Sequence, residues 1–313
     1  MKANEPEEGI HLELKQVKGN TWVLEGIELI PLYKLDDNHC VLLDTGHPNE
    51  VEELEQALTD AGLIPVGLLC SHAHPDHYGN SLWLKEKYGT ITALSSPETA
   101  LLNNWLTMKS YYLTIPLDTV IERNCSMVRQ PDVILPDEDD LVWFCGAQFQ
   151  ILHVPGHSPG LISVITPDNV CYVSDAMLSE EMLTAKLPHN QNHHIAIASR
   201  EKIRHAECDL FIMAHKGICD NREISAVIDA NLDLLYRRGQ EILSLIDHPM
   251  TFSEINHAAV GLHKLYTHRP YRALVYQRNV TFIIEYLLEE GELEMECHEG
   301  VIRYCRTQAP EEY

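Results

Sequence analysis

Short apolar runs broken by turn residues dominate the first two-thirds of the chain. Trp22-Val23-Leu24, Leu29-Ile30-Pro31-Leu32-Tyr33 and Cys40-Val41-Leu42-Leu43 are too short for helices and are bounded by Gly19-Asn20, Gly26 and Asp36-Asp37-Asn38. The stretch from His11 to Gly46 therefore reads as strands and turns, closing at Asp44-Thr45-Gly46. The period then changes: Val51, Leu54, Leu58 and Ala61 fall on one helical face, with Asn49 as N-cap, Glu52 as its capping-box partner and Gly62 as the stop. Residues 63 to 70 form a continuous apolar run, expected as a buried strand, and it leads directly into Ser71-His72-Ala73-His74-Pro75-Asp76-His77.

Beyond that loop, Leu82 to Tyr88 reads as a short helix, Ile91 to Leu94 as a strand, and Pro97 to about Leu113 as one helix with proline in its first turn. Residues 114 to 136 lack periodicity and read as a long loop, a candidate lid. Leu141 to His153 is expected as a hairpin around Gly146, followed by Pro155-Gly156-His157-Ser158-Pro159-Gly160 and by strands at Leu161–Ile165 and Val170–Ser174, the latter ending at Asp175. His193 to His205 reads as helix and Leu210 to Met213 as a strand ending in Ala214-His215-Lys216-Gly217. A long amphipathic helix from Asn221 to Ile246, helices at Ser253–Leu265 and Arg272–Glu289, and a hairpin of 293–297 with 301–305 complete the chain. This predicts a first domain over residues 1–238 and a helical, winged-helix-like appendage over 239–313.

Composition bears on partners rather than on fold. Asp and Glu outnumber Lys and Arg 47 to 23, a net charge of −24, so the surface field opposes binding to nucleic acid and to anionic membranes. Acidic residues outnumber basic ones beyond Gly239 as well, so the terminal hairpin is expected to wall the cleft, pack on the first domain or mediate homodimerisation rather than bind DNA. Nine dispersed cysteines, Cys40, Cys70, Cys125, Cys145, Cys171, Cys208, Cys219, Cys297 and Cys305, without a C-x-x-C pair, point to free thiols in a reducing compartment. The acidic start, Glu5-Pro6-Glu7-Glu8, lacks the apolar core of a signal peptide, and no apolar run approaches a membrane span, so a cytoplasmic location is expected.

The chemistry concentrates at strand ends. Four times a short apolar strand runs into a loop carrying a potential ligand: His72, His157, Asp175 and His215. Imidazole and carboxylate at this density suit zinc and similar divalent ions, with iron and manganese also acceptable. Spacing in His72-x-His74-x-Asp76-His77 can aim one pair of side chains at each of two metals. A hydroxide bridging such ions is a strong nucleophile near neutral pH, since metals lower the pKa of bound water to about 7.

The order H-x-H-x-D-H, G-H-S-P-G, a strand ending in Ser174-Asp175 and a strand ending in Ala214-His215 resembles the metallo-β-lactamase-fold hydrolases, with glyoxalase II among them. The resemblance covers residues 11 to 220 and implies an α/β fold, an αββα sandwich with metals at one edge. It implies further that His72, His74 and His157 hold one metal, that Asp76, His77 and His215 hold the other, and that Asp175 bridges them. Asp76 would also orient the water and take its proton. The substrate class implied is a small thioester, lactone or other ester. Three alternatives stand beside it: a nuclease or phosphodiesterase on the same fold, an iron-dependent oxidoreductase of the persulfide-oxidising or flavodiiron type, and a non-catalytic relative. His74, where flavodiiron relatives carry Glu, favours hydrolysis. Lys216 stands where many relatives have glycine and is either a substrate-carboxylate ligand or solvated. Asp44 is a candidate partner for a ligand imidazole, and Tyr78, Tyr111 and Tyr112 are candidate donors to a developing oxyanion. His153, His189, His193 and His194 receive no role.

Overall fold

A computed structural model describes residues 12–112, 115–124 and 126–307. His11, Leu113, Thr114 and Cys125, which figure in the expectations above, lie outside the described residues. Strands β1 (Glu13–Lys18), β2 (Thr21–Glu25), β3 (Leu29–Lys34) and β4 (His39–Leu42) form an antiparallel meander. Helix α1 (Val51–Asp60) then crosses to β5 (Ile64–Leu69), which pairs parallel with β4. Helices α2 (Pro75–Tyr78) and α3 (Ser81–Tyr88) lead to β6 (Ile91–Ser95). Helices α4 (Ser96–Leu101), α5 (Trp105–Tyr111) and α6 (Leu117–Asn124) lead to β7 (Val133–Leu135), completing a seven-stranded sheet in sequence order.

The second sheet contains β8 (Asp140–Phe144), β9 (Ala147–His153), β10 (Ile162–Ile165), β11 (Val170–Ser174), then after helix α7 (His193–Arg204), β12 (Leu210–Met213) and β13 (Gly217–Asp220). Its only parallel pair is β11 with β12, joined by the α7 crossover. Three long elements follow, α8 (Ile224–Leu245), α9 (Phe252–His263) and α10 (Pro270–Glu289), and the chain ends in the hairpin of β14 (Leu293–His298) with β15 (Val301–Arg306).

Period-two alternation builds the layers. Val41 and Leu69 face inward to meet Phe149, Ile151 and Ile212 of the other sheet, while their neighbours Leu42 and Leu68 face outward onto Leu54 and Leu58 of α1. On the second sheet Cys171, Val173 and Phe211 turn outward against Ile203 of α7 and Ile228 of α8. Central strands are thus buried on both faces, which is why they read as unbroken apolar runs. The result is the αββα sandwich. A further core joins Ile242 and Ile246 of α8 to Ile255, Ile283, Leu287 and Leu293, forming the helical C-terminal region. Position 238/239 falls inside α8, whose first half packs on the second sheet and whose last turns enter this C-terminal core.

Several local expectations are corrected. The helix expected over 97–113 is two helices, because Asn104 restarts the backbone by accepting from the N–H groups of Leu106 and Thr107 at 2.9 and 3.0 Å. Residues 114–136 are not structureless: they contain α6 and β7, with the Arg123 guanidinium 3.7 Å from the Tyr271 ring centroid of α10. Asn49 and Glu52 do not cap α1. A 3-10 turn at Pro48–Glu50 precedes it, and Glu50 bonds the N–H groups of His47 and Ile27 at 3.2 and 3.1 Å. Strand β13 was not expected, its four residues Gly217–Asp220 offering too short an apolar run.

Candidate metal centre

Strand β5 delivers Ser71 to a point where its carbonyl accepts from the Ile162 N–H at 3.1 Å, tying the first ligand loop to β10. Proline in the first turn of α2 bends the chain so that His72 and His74 precede the helix while Asp76 and His77 lie on it. The loop carrying His157 is pinned from outside. Gly156 adopts φ +127°, its carbonyl accepts from the N–H groups of Gln191 and Asn192, and a Cβ there would lie 2.5 Å from the Ala196 backbone, so only glycine lets α7 approach. Asp175 follows Ser174, which takes φ +49°, and His215 follows β12.

All seven expected residues converge. His72, His74, His157 and Asp175 present donor atoms within 4.8 Å of one another, as do Asp76, His77 and His215. His72 Nε2 and His157 Nε2 lie 2.9 and 3.1 Å from His74 Nδ1. Each ring is held by its other nitrogen: His157 Nδ1 donates to the His189 carbonyl at 3.0 Å, His77 Nδ1 to Asp44 Oδ2 at 2.7 Å, His72 Nδ1 meets Ser71 Oγ at 3.0 Å, and His74 Nε2 meets the Tyr111 hydroxyl at 2.6 Å. Because a carbonyl and a carboxylate only accept, Nδ1 of His157 and of His77 carries a proton, and their Nε2 atoms point inward. His77 Nε2 and Asp175 Oδ1 are buried without a hydrogen-bond partner. Asp175 spans the two groups, Oδ2 lying 3.3 Å from His157 and 3.6 Å from His77, and Oδ1 3.3 Å from His215.

Electrostatics divides the same way. Burial, reinforced by neighbouring imidazoles, holds His72 and His74 well below the ordinary histidine value, and burial also lowers His157, so these rings are neutral and ligand-competent. At His77 burial pushes down, but the carboxylates of Asp76, Asp175 and Asp44 outweigh it and the net direction is up. His215 rises to about 9, burial again opposing the pull of Asp175 and Glu28. Burial pushes the Asp175 carboxyl up, and His77 and His157 more than reverse it, leaving it ionised. Imidazole nitrogens converging at about 3 Å beside an ionised carboxylate form a donor set that fits divalent cations, whose binding would displace the protons on His77 and His215.

A supporting ring surrounds these residues. The Asp44 carboxylate accepts from Ser71 N–H and Oγ at 2.6 Å each and from Tyr172 at 2.7 Å, besides His77, so the bond expected of Asp44 is present. Fully buried Glu98 clamps two ligand loops, accepting from Ala73 N–H at 2.8 Å and Gly160 N–H at 2.7 Å. Glu28, 3.7 Å from His215 and pushed up to about 8 chiefly by burial, backs the second group. His189 packs 5.0 Å from the His157 ring and is held by Asn279 of α10 at 3.1 Å. Sequence reasoning missed Glu28, Glu98 and His189. Of the candidate tyrosines only Tyr111 bonds one of the seven residues, His74, since Tyr112 donates to Asn124 and Tyr78 lies in the core behind the loop. Lys216 is exposed and lines surface hollows shared with Lys15 and Glu25 or with Arg222 and Glu223, neither of which includes one of the seven residues.

Residues 17–215 match the model of the metallo-beta-lactamase superfamily. The chain belongs to this superfamily. It is 26% identical over 184 residues to hydroxyacylglutathione hydrolase GloC of Haemophilus influenzae, covering 58% of this chain and 82% of that one. It is 27% identical over 157 residues to the probable metallo-hydrolase YqgX of Bacillus subtilis, covering 48% and 64%. A hydroxyacylglutathione hydrolase of Hamiltonella defensa is 27% identical over 127 residues, covering 41% and 39%, so the match spans less than two thirds of the latter two relatives. The fold is shared with a metallo-beta-lactamase family protein from Thermus thermophilus (TM-score 0.69, 19% identity, 96% of this chain and 99% of that one). It is shared also with a beta-lactamase domain protein from Burkholderia ambifaria (TM-score 0.67, 18% identity, 94% of each). Superfamily membership makes the chain a metal-dependent hydrolase. Among the described residues no helix is long and apolar enough to cross a membrane, and all eight described cysteines are free.

Proposed function

We propose that this protein hydrolyses a small ester, lactone or thioester at a dinuclear zinc centre, with His72, His74 and His157 on one metal, Asp76, His77 and His215 on the other, and Asp175 between them. The observation that carries the reading is the pair of Asp175 contacts, one oxygen toward His157 and the other toward His215, each at 3.3 Å. Bound there, the ions supply a water activated near neutral pH and polarise the scissile carbonyl. Asp44, Ser71, Tyr111 and the His189 carbonyl fix the ring orientations. Asp76, its side chain a quarter exposed, is the group assigned to orient the attacking water and accept its proton. Similarity to the hydroxyacylglutathione hydrolases supports the thioester member of the substrate class.

The test is elemental analysis with a panel of thioesters, lactones and phosphodiesters. Two zinc ions per chain and turnover of an activated ester, reduced at least about a hundredfold in Asp76→Ala, are expected. One redox-active iron with oxygen consumption, or full activity of the variant, refutes the assignment.

A phosphodiesterase reading draws on one specific observation. A cavity of about 470 Å³ beside Asn279 gathers Arg123, Lys186, Arg269 and Arg272 in a chain of net charge −24. RNA binding that weakens steeply with salt, together with phosphodiester cleavage, would favour it over ester hydrolysis.

A further inference from the structure

A second cavity, of about 170 Å³, opens directly on the centre. His157, Asp175 and His215 line it together with the apolar side chains of Leu178, Met182, Leu234 and Leu235. Arg200 of α7 lines it too. Helix geometry brings it there: Ala196 abuts Gly156 behind the His157 loop, Ser199 Oγ donates to the Pro155 carbonyl at 2.6 Å, and Arg200 lies one turn beyond Ala196 on the same face.

Arg200 is 3% exposed. Its Nη2 donates to Asn190 Oδ1 at 3.3 Å, but Nε and Nη1 are buried without a hydrogen-bond partner, and no acidic side chain pairs with it among the described residues. The other polar groups nearby are engaged or neutral. Asn231 is satisfied by the backbone of Leu178 and Val227, His189 is bonded to Asn279, and burial holds His193 at about 4. A buried, uncompensated guanidinium is less favourable than an apolar side chain of the same size. Its place in the lining of a cavity that His157, Asp175 and His215 also line is therefore that of a receptor for a charge the chain does not supply.

We propose that this cavity receives the acyl part of the substrate and that Arg200 binds a carboxylate at the far end of that acyl group. Building on the hydrolase reading, this assigns as preferred substrate class the short-chain thioester or ester of a dicarboxylic acid. One cation matches one carboxylate, and the apolar walls suit the methylenes between the two carbonyl carbons rather than a doubly charged phosphate. Hydrolysis is redox-neutral: the water oxygen joins the carbonyl carbon, the carbon–sulfur bond breaks, and the thiol leaves with a proton from the water.

The experiment compares succinyl and butyryl thioesters of one thiol, matched in chain length, on the zinc-loaded full chain. Wild type is expected to favour the succinyl compound in kcat/KM by at least about tenfold, the value of one charge-assisted contact. In Arg200→Leu the ratio should fall to about one or invert, and in Arg200→Lys part of it should remain. The melting temperature of Arg200→Leu should stay level or rise, because an unpaired buried charge is removed. Calorimetry with free succinate and butyrate separates binding from turnover. If no thioester is hydrolysed yet wild type binds succinate and Arg200→Leu does not, the hydrolase reading fails and the carboxylate site stands. If both thioesters are hydrolysed equally well by wild type, or Arg200→Leu slows both alike, the carboxylate site is overturned while the hydrolase reading stands.

Discussion

Replacing Asp44 by Asn exchanges one carboxylate oxygen for an amide nitrogen and alters no backbone preference, since Asn tolerates the φ of +76° that Asp44 adopts. The surroundings decide the outcome. Oδ2 receives three donors, Ser71 Oγ, His77 Nδ1 and Tyr172, within 2.7 Å, whereas Oδ1 receives only the Ser71 N–H. The amide will turn its nitrogen toward Ser71, where it meets another donor, because the opposite orientation strands three. One buried N–H left unsatisfied costs about 1–3 kcal/mol, and the remaining bonds lose their charge assistance. A total near 3 kcal/mol is expected as a lower urea midpoint at unchanged m-value. His77 also loses the carboxylate that fixes its tautomer, so zinc affinity, measured by competition with a chromophoric chelator, should fall about 10- to 100-fold. An Asp44→Asn variant within twofold of wild type in zinc affinity and unchanged in urea midpoint would refute the reasoning.

Other expectations are simpler. Glu98→Gln turns an amide nitrogen toward either the Ala73 or the Gly160 N–H, so it should cost about 1–3 kcal/mol in urea unfolding and weaken zinc binding; an unchanged zinc titration would mean the clamp does not space the ligand loops. Burial pushes the Cys40 thiol up to about 12 and Cys70 well above its ordinary value, while Cys297 is exposed. A disulfide reagent at about pH 8 should therefore modify Cys297 in the native protein and reach Cys40 and Cys70 only on unfolding, and rapid modification of either by peptide mapping would contradict the packing. Burial raises the Asp139 carboxyl, but Lys202 and the His153 N–H outweigh it and hold it below 3.8. Its contribution to stability is present above that value and lost as pH falls through the lower folded pKa. Asp139→Asn should thus be less stable than wild type at neutral pH, with the two curves converging at the acid end.

The strands and the convergence of the candidate ligands were legible because two-sided burial writes continuous apolar runs, and because His72, His74, Asp76 and His77 stand together in sequence. What surrounds the ligands was not legible. Glu98 lies 25 residues from Ala73 and 62 from Gly160, and nothing in Ser96-Pro97-Glu98 marks a carboxylate that folds inward rather than into solvent. His189 and Arg200 carry no motif, and only the closeness of α7 to Gly156 and of α10 to His189 reveals them. The expected helix over 97–113 failed at Asn104, a residue as much at home on a helix surface as at a cap. The segment before β7 concealed α6 because only Val120 and Asn124 of its eight residues are buried, too few to print a period.

The bond between Asn279 and His189 reaches beyond the placement of one ring. Asn279 also donates to the Leu187 carbonyl at 2.9 Å, so α10 grips the connection between β11 and α7 at two points beside the His157 carbonyl partner. The region matched by the superfamily model ends at residue 215, yet the scaffolding of one proposed ligand, His157, is completed 64 residues later, by a helix outside that region. The matched region is therefore not portable by itself. A graft of residues 17–215 onto another C-terminal region would carry all seven proposed ligands and leave His157 without the brace that aims it.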